Sequence, residues 1–164
     1  MSEFASARAR DEHFMRLAIA QAVQSVEDGQ SPFGAVIVRG DALVCAVHNR
    51  VWETTDITAH AEVVALREAC RTLGTIDLAG CTIYSSTEPC PMCFSAIHWA
   101  NMDRIVFGTA IEDAAEAGFR ELSISNETMK ALGGSRVEVV RGVLREEAKA
   151  AFARFAAVAA ERTY

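Results

Sequence analysis

The residues of this sequence best equipped for chemistry are Cys90 and Cys93, in the run S-T-E-P-C-P-M-C from Ser86 to Cys93. Thiols at this spacing serve as a redox couple, as half of a structural zinc site, as part of a catalytic one, or as ordinary packing. Both fall at the start of an expected helix, where the macrodipole and unpaired backbone N–H groups favour thiolate, the form that binds metal. Positions i and i+3 share a helix face, so both sulfurs can reach one ion. A structural zinc takes four protein ligands. A knuckle pattern would use His98 and then a cysteine at position 103, where Asp103 stands, and the chain has no second Cys-x-x-Cys. A thioredoxin-like couple would follow an aromatic or small residue, whereas here Glu88-Pro89 comes first.

A third ligand is offered by T-A-H-A-E, Thr58 to Glu62, at the start of the preceding expected helix. On a helix flank His60 and Glu62 would point about 200° apart. They share a site only at a helix end, where two N-termini facing each other would gather His60, Cys90 and Cys93 around one zinc. Three protein ligands leave a position open, as in a catalytic centre. Such an ion lowers the pKa of bound water towards ~7, and Glu62 stands beside it as proton carrier.

The elements that must hold these groups follow from the pattern. Apolar Phe14, Leu17, Ala18, Ala22 and Val26 recur at helical spacing, predicting a helix from Asp11 to Asp28 stopped by Gly29. G-A-V-I-V-R and A-L-V-C-A-V-H-N, split by Gly40-Asp41, read as a hairpin. A helix follows from Ala59 to Leu73, with Thr58 as N-cap and Gly74 as stop. Then come the strand C-T-I-Y-S-S, a short helix over P-M-C-F-S-A-I-H-W-A, and the strand R-I-V-F-G. A loop rich in Ala and Glu leads to the strand R-V-E-V-V-R and a final helix from Leu144 to Arg162. Strands alternating with helices predict a sheet covered on both faces, an α/β layer arrangement.

With 164 residues, 51% of them hydrophobic, one domain spanning 1–164 is expected. The acidic start, with Glu3, Asp11 and Glu12, and the lack of a long apolar run point to a cytoplasmic location. Five cysteines are too few and too odd in number for a disulfide scaffold, and Cys45, Cys70 and Cys81 read as core. A net charge of −6 opposes gripping a long polynucleotide, which needs a basic field. In the last helix Arg145, Lys149, Arg154 and Arg162 alternate with Glu146, Glu147 and Glu161.

H-x-E…P-C-x-x-C is the signature of zinc nucleobase deaminases, and it stands here as His60-Ala61-Glu62 and Pro89-Cys90-Pro91-Met92-Cys93. With S-P-F-G-A-V-I-V, the Asn of H-N-R, T-A-H-A-E-V and D-A-A-E-A-G-F, the chain resembles the cytidine deaminase-like superfamily from roughly Asp11 to Glu121. Within it the bacterial guanine deaminases are most similar. The resemblance implies a three-layer α/β/α sandwich around a mixed sheet of about five strands. It implies zinc, one ion per subunit, on His60, Cys90 and Cys93, with Glu62 as proton shuttle and Glu121 in substrate contact and proton transfer. Phe33 would stack on a purine, Asn49 would bind its polar edge, and Tyr164 would come from the neighbouring subunit of a homodimer through a swapped C-terminal segment. The implied reaction is hydrolytic conversion of guanine to xanthine and ammonia. Cytosine, ammeline, guanosine and adenosine in tRNA stay open as substrates, and a structural zinc or dithiol redox protein as other classes. Arg120 has no assigned role. His98 and Trp99 face either the cavity or the packing, and His13 and His48 read as surface.

Overall fold

The computed structural model describes residues 4–159 and 161–164. Helix α1 (Ala7–Glu27) starts earlier than its apolar stripe, because the Ser6 hydroxyl accepts the Ala9 N–H and caps the first turn. Strands β1 (Gly34–Arg39) and β2 (Ala42–His48) form the expected hairpin, with Gly40 at φ 59° in the turn. The short α2 (Val51–Thr54) leads to α3 (Ala61–Leu73). β3 (Cys81–Thr87) runs into α4 (Pro91–Trp99), and β4 (Arg104–Thr109) follows.

The stretch expected to be a loop contains two helices, α5 (Ile111–Glu116) and α6 (Asn126–Gly133). Ile111 and Ala114 of α5 are buried, and α6 is capped by the Ser125 hydroxyl and closed by Gly134 at φ 67°. β5 (Glu138–Val140) and α7 (Arg145–Val158) complete the chain.

The strands form one mixed sheet in the order β2-β1-β3-β4-β5, antiparallel from β2 to β3 and parallel from β3 to β5. Side chains of a strand alternate between faces. Val36, Val38, Tyr84 and Val106 pack with Phe14, Met15 and Ala18 of α1, and Val143 and Leu144 ahead of α7 join them. Ile37, Ile83, Ile105 and Phe107 pack with α3 and α4 on the other face. This is the α/β sandwich the resemblance implied, with the hydrophobic Cys45, Cys70 and Cys81 in its second core. No helix among the described residues is long and apolar enough to cross a membrane.

Candidate active site

β3 delivers the chain through Glu88-Pro89 to the N-terminus of α4, where Cys90 is the N-cap residue and Pro91 occupies the first turn. A proline there forfeits no helical hydrogen bond. α3 presents its own N-terminus to the same point, with His60 as N-cap. The expected cap, Thr58, instead bonds the Asp56 carboxylate, and the His60 ring is turned to the sulfurs. The His60 Nδ1 lies 3.7 Å from Cys90 Sγ and 3.6 Å from Cys93 Sγ, and the three ligand atoms fall within 4.8 Å of one another.

That spacing fits zinc. A tetrahedral ion with Zn–S of ~2.3 Å and Zn–N of ~2.0–2.1 Å sets its sulfur and nitrogen ligands about 3.6 Å apart. Among the described residues no other group of three His, Cys, Asp or Glu side chains converges in this way.

The electrostatics match the layout. Cys90 is pulled down to about 4 by the hydrogen bond with Cys93, against its own burial and with help from His60. Cys93 is held well above the ordinary thiol range by the same bond and by burial. Burial favours a neutral His60 ring, but its bond to Cys90 and the charges of Glu62, Cys90 and Glu121 outweigh that and raise its pKa. Glu62 is only 6% exposed, and burial, then the Cys90 charge, raises it. The Ser85 hydroxyl donates to Glu62 Oε1 at 3.0 Å and the Cys93 thiol to Oε2 at 3.5 Å, which fixes the carboxyl beside the ligand cluster.

A cavity of about 280 Å³ opens on this cluster, lined by Phe33, His60, Glu62, Cys90, Phe119, Glu121 and Tyr164 among others. Glu121 reaches it from the segment between α5 and α6, and burial, with the negative charges of Cys90 and Glu62, raises its carboxyl to about 7. Phe33 meets Phe119 edge-on with centroids 4.9 Å apart, so its ring is braced as well as facing the cavity. Gly34 must be glycine: a Cβ there would collide with the Ala18 carbonyl and the Ala22 amide of α1.

Asn49 directly follows β2. It is fully buried, is not among the lining residues, and its amide is spent within the chain. Its oxygen accepts the Val51 N–H at 3.0 Å and its nitrogen donates to the Tyr164 hydroxyl at 2.7 Å. Tyr164 lines the cavity of its own chain. The Arg120 N–H donates to the Tyr164 carbonyl at 3.0 Å, the Trp52 indole N–H to the Arg162 carbonyl at 3.2 Å, and the Arg162 guanidinium to the Gly29 carbonyl at 2.8 Å. Arg120 thus ties the tail through its backbone N–H, and it also lines the cavity. His98 bonds the Ser135 hydroxyl at 3.0 Å and Trp99 is 85% exposed, and neither lines this cavity. His48, expected on the surface, is half-buried between the Asp28 carboxylate at 3.0 Å and the Asn49 carbonyl at 2.8 Å.

A family model described as the cytidine and deoxycytidylate deaminase zinc-binding region matches residues 8–109. The chain belongs to this deaminase family. A guanine deaminase of Bacillus subtilis is 44% identical over 120 residues, covering 73% of this chain and 77% of the relative. A tRNA-specific adenosine deaminase of the same organism is 37% identical over 139 residues, covering 84% and 83%. Among solved structures, a guanine deaminase from Nitrosomonas europaea superposes with a TM-score of 0.79 at 29% identity over 94% of this chain and 86% of that one. The deaminase family accounts for the pairing of His60 and Glu62 with Cys90 and Cys93. It leaves the substrate to the chain's own cavity.

Proposed function

We propose that this deaminase hydrolyses free guanine to xanthine and ammonia, with one zinc per chain on His60, Cys90 and Cys93, as a cytoplasmic homodimer. The observation that carries the choice of a free base is the tail: Tyr164 lines the cavity and is tied to Asn49 and to the Arg120 backbone. A cavity of about 280 Å³ lies just under the ~300–1,000 Å³ usual for drug-sized ligands and suits a bare bicyclic base. The cations of α7 are also engaged within the chain, Arg145 with Asp113, Lys149 with Glu146 and Arg154 with Glu27.

Zinc, when bound, supplies the Lewis acid that makes water a nucleophile at neutral pH. The chain's own residues do the rest. Glu62 takes a proton from the water attacking C2 and passes it to ring N3. Glu121 supplies the proton with which the amino nitrogen departs as ammonia when its bond to C2 breaks, and Glu62 accepts the proton that leaves the C2 oxygen as the carbonyl of xanthine forms. Phe33 packs against the purine face, and Tyr164 keeps bulk water out.

Ammonia release by zinc-loaded protein across guanine, guanosine, cytosine, ammeline and an adenosine-bearing anticodon stem-loop tests this reading. Guanine should be fastest by more than about 100-fold. Preference for the stem-loop would replace the free-base reading. Zinc retention without any turnover would point to a structural site, and turnover insensitive to chelator and to His60→Ala to dithiol chemistry.

A further inference from the structure

Glu88 lies two residues before Cys90, is 7% exposed, and plays no part in the chemistry described above. Its two carboxylate oxygens are committed to different places. Oε1 accepts the Asn126 N–H at 2.8 Å, the first residue of α6, and Oε2 accepts the Ile111 N–H at 3.3 Å, the first residue of α5. Asn126, fully buried, returns the contact: its Nδ2 donates to the Pro89 carbonyl at 2.6 Å. The Glu88 N–H also donates to the Thr109 carbonyl at 2.7 Å. One carboxylate thus grips both ends of the stretch 111–126, from the loop that leads directly into the metal ligands.

Between α5 and α6, residues 117–125 carry Phe119 and Glu121 into the cavity. The backbone bonds of this segment are short-range, such as Glu121 N–H to the Phe119 carbonyl and Ile124 N–H to the Leu122 carbonyl, apart from the Arg120 bond to the terminal residue. Nothing in those local bonds sets the distance from Glu121 to the ligand cluster. Beyond the packing of Phe119 and the Arg120 bond, that distance is set where the stretch is anchored at Ile111 and Asn126, and an error of about 1 Å in a reacting group costs ~10²-fold in rate.

We propose that Glu88 is a positioning residue: by accepting the N–H groups of Ile111 and Asn126 it holds Glu121 in register with His60, Cys90 and Cys93. This rests on the role given to Glu121 above. It does not depend on guanine being the substrate, because the effect should appear with whichever amine in the panel is turned over fastest.

Glu88→Gln keeps the shape but sets an NH₂ group against one of the two N–H donors, so one bond becomes a repulsion. The expected result is a kcat lower by roughly 10–100-fold with KM within about threefold, since neither Phe33 nor Tyr164 bonds Glu88 and each keeps other contacts, Phe33 with Phe152 and Tyr164 with Asn49. Zinc content per chain should equal that of the parent. In a Glu121→Ala background, Glu88→Gln should lower kcat by less than about twofold more, because residues acting through one another are not additive. Asn126→Ala, which spares both Glu88 bonds and removes only the one to Pro89, gives a second variant should the first fold poorly. It should show a smaller loss that also vanishes in the Glu121→Ala background. Multiplying effects, loss of zinc, or a parental kcat in Glu88→Gln would overturn the inference and leave the Glu121 role standing. A Glu121→Ala variant with unchanged kcat would overturn both.

Discussion

The Asn49 side-chain amide donates to the Tyr164 hydroxyl at 2.7 Å, joining positions 115 apart in the chain at the cavity wall. The bond is part-buried, and burial first, with the Glu62 and Cys93 charges, keeps the phenol protonated by raising it to about 12. Tyr164→Phe leaves the ring but strands the buried amide, at a cost of about 1–3 kcal/mol. The melting temperature should fall by roughly 2–4 °C per kcal/mol lost. An unchanged melting temperature would show that the bond contributes nothing.

Removing residues 160–164 takes away both the ring and its ties to Arg120. Turnover per unit KM on a free base should drop by roughly 10–100-fold, measured as ammonia release. Unchanged kcat/KM would remove the tail from the catalytic account.

Asp113 caps α5, its Oδ2 accepting the Ala110 N–H at 2.8 Å, and pairs with Arg145 of α7 at 2.8 Å. The Arg145 guanidinium beside it holds its carboxyl below the usual carboxylate range. A depressed folded-state pKa means that the pair stabilises fully above the unfolded value of ~3.9 and loses its contribution as pH falls through the lower folded value. Arg145 is half exposed, so solvent screening keeps the pair's contribution small. Asp113→Asn should lower the melting temperature at pH 7, and the gap from the parent should close below about pH 4. A gap independent of pH would contradict the assignment.

Beneath the sheet, Asp11 is 6% exposed and accepts from Tyr84 at 2.8 Å and from Arg104 at 2.6 and 2.9 Å. Deleting one partner of a buried pair leaves an uncompensated charge, so Asp11→Ala should cost about 3–5 kcal/mol by urea unfolding. A loss under about 1 kcal/mol would mean that the guanidinium escapes to water.

The metal cluster was legible because its chemistry restricts residue type: only a few side chains bind zinc, and both pieces sat beside helix starts that proline and threonine-alanine patterns mark. The hairpin was legible through Gly40 between β-branched runs. α5 was not, since six residues give too little periodicity to tell a helix from an Ala-rich loop. α6 did carry a signal, Ser125 before it and Gly134 after it, that could have been read. Thr58 looked like the cap of α3 on propensity, and lost that place because the geometry of the cluster required His60 at the N-terminus. Glu88, Asn126 and Ser85 were invisible as functional candidates. Their partners lie far away in sequence and several are backbone groups, which no spacing pattern records.

The most direct test compares Glu62→Gln with the parent at equal zinc content, measuring metal per chain and ammonia released from guanine. Full zinc occupancy with kcat lower by roughly 10²–10⁴-fold is the expected result for loss of a general acid–base group. Parental turnover in the Gln variant would contradict the account.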